Sequence, residues 1–78
     1  MITIEEMRMT ELEDKQLILD LLLPALQATR GLYDLEELQY DGISEKVIAV
    51  FKNGYRKLAN VAMDSGTSMI LDVIRQIR

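Results

Sequence analysis

From Leu17 to Ala28 the chain is apolar at every position except Asp20, Pro24 and Gln27. At 100° per residue these three fall, with Glu13 and Gln16, in one narrow polar arc, and leucine, isoleucine and alanine fill the rest. The pattern predicts a helix from about Thr10 to Thr29, with an extension back to Ile4 left open. Thr3 with Glu6 and Thr10 with Glu13 both match a capping box. Gly31 suits the left-handed residue that ends a helix, and Arg30 suits the negative end of its dipole. Pro24 cannot donate to the carbonyl of Asp20, which predicts a kink. The apolar arc is about twice the width that one small sheet can cover.

The rhythm then changes to a period of two. Leu38 and Tyr40 alternate with Glu37 and Gln39, as in a half-buried edge strand. Asp41-Gly42 opens a turn that runs through Ser44-Glu45-Lys46. Residues 46–63 read as a β-hairpin about Asn53-Gly54, with a two-residue type I′ turn. That turn pairs Lys52 with Tyr55, Val50 with Lys57 and Ile48 with Ala59. One face then carries Ile48, Val50, Ala59, Val61 and Met63; the other carries Val47, Ala49, Phe51, Leu58 and Ala62. Both are apolar, so both need a cover. Lys46, Lys52, Arg56 and Lys57 put charges around the hairpin. From Asp64 onward the helical period returns: Ile70, Val73, Ile74 and Ile77 recur at i, i+3, i+4 and i+7, widened by Met69 and Leu71. Asp64 or Ser65 caps this helix, and Asp72 can pair with Arg75 on its outside.

The expected fold is α+β in the order α-β-β-β-α: a three-stranded antiparallel meander flanked by N- and C-terminal helices. Residues 1–78 form a single domain, residues 1–9 being either a disordered arm or an extension of the first helix. A domain of 78 residues buries only about 60% of its unfolded surface, so its own margin of stability is thin. It has no Cys and no His, which removes disulfides, thiolate metal sites and the commonest general base. Nearly half the residues, 49%, are apolar; a small chain with no staple and that much apolar residue often gains stability by oligomerising. Thirteen acids against nine bases give a net charge of −4, which argues against phosphate-backbone binding and so against nucleic acid as a partner. Neither a signal peptide nor a membrane span is evident, which makes a cytoplasmic location the expectation.

The candidate ligand site is Asp64, Ser65, Gly66, Thr67 and Ser68, where a strand meets a helix start. Free N–H groups and three hydroxyls there could hold a phosphate or carboxylate. The charge of Asp64 opposes this, and an ordinary N-cap explains the same residues. A serine hydrolase at Ser65 lacks a histidine base. Glu5-Glu6 and Glu36-Glu37 are adjacent and splay apart as solvated charge. No EF-hand spacing is present, and no metal or cofactor is expected. Met7, Met9, Met63 and Met69 read as core or interface filler.

The run FKNGYRKLANVAMDSGTSMILDV, Phe51 to Val73, together with the preceding leucine-rich helix and its LLPAL, resembles small uncharacterised proteins of phages and prophages of Gram-positive bacteria. The resemblance implies a short accessory protein that binds and blocks a host factor, such as an immune component, in the host cytoplasm. The expected function is therefore a non-enzymatic, homo-oligomeric binding protein that docks on a host protein. The alternative is a nucleotide-sequestering or other small-ligand protein using Asp64–Ser68; an enzyme with a carboxylate-held metal ranks third. Self-association, as a homodimer or a higher even oligomer, is expected through the first helix at Ile18, Leu19, Leu22, Leu23 and Leu26, with Leu19 and Leu23 facing outward.

Overall fold

The computed structural model describes residues 14–78. The two capping boxes in residues 3–13, Met7 and Met9 lie outside that range. Helix α1 spans Lys15–Gln27, a 3₁₀ turn spans Arg30–Leu32, strands β1, β2 and β3 span Leu35–Asp41, Lys46–Phe51 and Arg56–Asn60, and helix α2 spans Gly66–Ile77. The strands form one antiparallel sheet in the order β1-β2-β3. The expected α-β-β-β-α order and meander are both present.

The first helix starts later than expected. Asp14 has extended backbone angles, and its carboxylate accepts from the Leu17 N–H at 3.0 Å, so it is the N-cap of this helix. The helix stops at Gln27, where the Thr29 hydroxyl donates to the Leu26 carbonyl at 2.7 Å. Gly31 lies inside the 3₁₀ turn, without the positive φ expected of a terminating glycine. Pro24 lies inside the helix on an exposed turn.

The hairpin register differs from the expected one by a single residue. The Gly54 N–H donates to the Phe51 carbonyl and the Phe51 N–H donates to the Tyr55 carbonyl, both at 2.8 Å. Gly54 has φ +86°, while Asn53 is not left-handed. This is a three-residue loop, a tight turn followed by a left-handed glycine, in place of the two-residue type I′ turn. Val50 therefore pairs with Arg56, Ile48 with Leu58 and Val47 with Ala59. Because strand side chains alternate, the one-residue slip turns all of β3 over. Val47, Ala49, Phe51, Ala59 and Val61 share the buried face, whereas Leu58 faces out. Met63, expected beside Val61, is almost fully exposed at φ +66°.

Both helices lie on that one buried face. The core joins Leu19 and Leu26 of α1, Leu32, Leu35 and Leu38, the inward residues of β2 and β3, and Met69, Val73 and Ile77 of α2. The helices do not cover the two sheet faces between them, as the two apolar faces suggest; among the described residues one face stays open. Glutamines bind both sheet edges to the helices. Gln16 donates to the Leu38 carbonyl at 2.9 Å and accepts from the Tyr40 N–H at 2.8 Å, and Gln27 donates to the Leu35 carbonyl at 2.8 Å. On the far edge Gln76 accepts from the Asn60 N–H at 2.9 Å and donates to its carbonyl at 3.0 Å. These edge backbone groups, which could otherwise template another strand, are thus paired within the chain.

Candidate interaction site

The open face of the sheet is a grid of nine side chains. Pairing across the strands gives three rows: Glu37–Val50–Arg56, Gln39–Ile48–Leu58 and Asp41–Lys46–Asn60. The centre is apolar, with Ile48 and Val50 half-buried by their neighbours and Leu58 60% exposed. Its two acids lie on β1, and its two bases lie on β2 and β3. Glu37 accepts from the Gln39 carboxamide at 2.8 Å. Among the described residues the one ion pair is Arg75–Asp72, at 3.7 Å on the outside of α2, and none of their carboxylates stands against Arg56. Asp41 stands at the corner of the grid. The Ser44 hydroxyl and then the N–H groups of Ile43 and Ser44 donate to its carboxylate, which holds its pKa below the ordinary value.

A second exposed apolar surface lies on α1, but not where it was expected. Leu19 is fully buried and Leu26 nearly so, both in the core of a single chain. Ile18, Leu22 and Leu23 are half-buried against that core. The outward residues are Leu17 and Leu21, 52% and 69% exposed, followed one and two turns on by exposed Ala25 and Ala28. Leucine recurs at 17, 19, 21, 22, 23 and 26, so the apolar pattern alone does not orient the helix. Gln16 and Gln27 do: they sit on the flank that meets the edge of β1, and the outward stripe lies about 100° further round.

The Asp64–Ser68 turn is a helix cap. The Ser65 hydroxyl accepts from the Ser68 N–H at 3.3 Å and donates to the Ser68 hydroxyl at 3.2 Å. Gly66 is buried as the first helical residue, and Thr67 and Ser68 are exposed. Asp64 shares a hydrogen bond with Asp72, one helical turn and a half into α2; that contact, then burial, then the charge of Asp72 raise its pKa, while Lys15 pulls it down. Its Oδ2 is enclosed without a hydrogen-bond partner. Two carboxylates beside the helix start repel a phosphate. A carboxyl whose folded pKa is raised binds its proton more tightly folded than unfolded. Its support for the fold is present at low pH and is lost as the pH rises through the folded pKa. Asp64→Asn should therefore raise the melting temperature at pH 7, and the gain should vanish in the acid range. Thermal melts across pH check this; a gain that grows on acidification refutes the shared-proton account.

At the opposite end, a cleft of about 230 Å³ opens between the hairpin tip, the 3₁₀ turn and the end of α2, lined by Asp34, Phe51, Asn53, Tyr55, Lys57 and Arg78 among others. The Lys57 ammonium lies 5.9 Å from the centre of the Phe51 ring and donates to the Ile77 carbonyl at 3.1 Å. This lysine closes the end of α2 as well as lining the cleft. Met69, expected as filler, is fully buried in the core. No described helix is long and apolar enough to cross a membrane. Comparison with protein-family models, curated proteins and solved structures finds no match to the chain.

Proposed function

We propose that this chain is a non-enzymatic binding protein that self-associates and docks on another protein. The observation that supports this reading is the one-sided packing of the fold. Two helices share one face of the sheet, so Ile48, Val50 and Leu58 on the other stay in water, together with Leu17 and Leu21 on the back of α1. Contiguous apolar surface rimmed by charge is the usual mark of a protein-binding face. The phage-type context, with a host protein as the target, rests on the resemblance carried by Phe51–Val73. Asp64–Ser68 is not favoured as a ligand site, since its two serine hydroxyls and one N–H are engaged in the cap and its carboxylates repel anions.

Light scattering over a concentration series tests the reading. The wild type should associate at micromolar concentration. Leu58→Lys, at an exposed position, should weaken association at least about tenfold by placing a charge on the apolar face, with a melting temperature unchanged at concentrations where the wild type is monomeric. A wild type that stays monomeric at high micromolar concentration would sink self-association. Association untouched by Leu58→Lys would remove the sheet face from the reading.

A further inference from the structure

We infer that the open sheet face takes a second copy of this chain, face to face, about a two-fold axis that runs between the sheets parallel to the strands. The inference rests on the self-association proposed above and assigns it to one surface, in one orientation. Edge-to-edge pairing is disfavoured because Gln16, Gln27 and Gln76 already bind backbone groups of the outer strands. The open face remains, and its charges select the orientation.

A two-fold axis parallel to the strands places β1 of one copy over β3 of the other and keeps each row over itself. Glu37 then meets Arg56 of the partner subunit, and the contact occurs twice, as an isologous interface requires. Val50 and Ile48 meet their own copies near the axis, and Leu58 lies over Gln39 of the partner subunit. Asp41 lies over Asn60 of the partner subunit. The two Lys46 approach each other at the end of the grid, each beside Asp41 of its own row. The other in-plane axis, across the strands, would set Glu37 against Asp41 of the partner subunit and Val50 against a lysine. Charge complementarity therefore favours the first arrangement, in which Arg56, without an ion pair among the described residues, gains a carboxylate. Packed sheets stand about 10 Å apart, a distance that a glutamate and an arginine reaching from opposite sides can bridge. The outward stripe of α1 takes no part in this contact, so it stays available to a foreign protein.

Charge reversal by mixing tests the arrangement. Glu37→Arg and Arg56→Glu are each made singly, and at concentrations where the wild type is monomeric both should melt near its temperature because both positions are exposed. Alone, each opposes like charges twice per dimer and should associate at least about tenfold more weakly than the wild type. Mixed in equal amounts, the two variants place Arg against Glu at both contacts, and association should return to near the wild-type strength as a heterodimer. Sedimentation equilibrium with one variant labelled reads this directly. A mixture no tighter than either variant alone overturns the arrangement, as do single variants that associate as tightly as the wild type. If the mixture fails while Leu58→Lys still abolishes association, the face is an interface in another orientation, and only this inference falls.

Discussion

Leu19→Glu should leave the chain without a cooperative thermal transition, while Leu21→Glu should melt close to the wild type. The two leucines are two residues apart in one helix and opposite in environment: Leu19 is fully buried and Leu21 is 69% exposed. Cutting a buried leucine back to alanine typically costs about 2–5 kcal/mol. A glutamate adds the penalty of a buried charge with no partner, and the core around Leu19 holds no polar side chain to offer one. Whole domains are stable by only about 5–15 kcal/mol, and one of this size sits low in that range. Circular dichroism melts of the two variants decide the matter. A cooperative Leu19→Glu transition near the wild-type temperature would mean that α1 is turned the other way round, with the flank of Leu19 and Leu23 in solvent.

The second large effect belongs to the hairpin loop. Gly54→Val should lower the urea midpoint, and Gly31→Ala should leave it nearly unchanged. Neither glycine has an atom within 4 Å of where a Cβ would stand, so crowding does not separate them. Backbone angle does. Gly54 has φ +86°, a region that costs other L-residues about 1–2 kcal/mol and is worse for a β-branched one. The loop also holds the register of β3, so strain there has a further outlet: the hairpin can slip by one residue and expose Ala59 and Val61 in place of Leu58. A Gly54→Val midpoint equal to the wild type, measured at equilibrium, would show that the loop closes without a left-handed residue.

The order of the elements is legible because the hydrophobic period changes cleanly from 3.6 to 2 and back. The register of β3 is not. Asn-Gly suits both a two-residue loop and a three-residue loop with a left-handed glycine, and these differ by one residue. Lys57-Leu58-Ala59-Asn60-Val61 does not decide between them, since Leu58 on one face competes with the smaller Ala59 and Val61 on the other. That single ambiguity hides the open sheet face, because it is the slip that gathers the small apolar residues beneath the helices. The orientation of α1 is lost for a similar reason: leucine on every side carries no direction. Direction is carried by its polar residues, and Gln16 and Gln27 read as solvated positions until an unpaired strand edge is set beside them. At Asp64–Ser68 the cap itself is legible from residue types, whereas the carboxylate of Asp72 is brought there only by the docking of α2.

The glutamine clasps also govern how the domain comes apart. The amide of Tyr40 is held by a side chain from α1, and both backbone groups of Asn60 are held by a side chain from α2. Each amide must lose its glutamine before its hydrogen exchanges with solvent, and neither helix can lift without leaving edge groups of the sheet unpaired. Outer strands usually fray before a protein melts, opening at a small fraction of the global free energy. Here two of the outermost amides, of Tyr40 and Asn60, are tied to helices that cover the core, which opposes fraying at those two points and should slow their exchange relative to the rest of the outer strands.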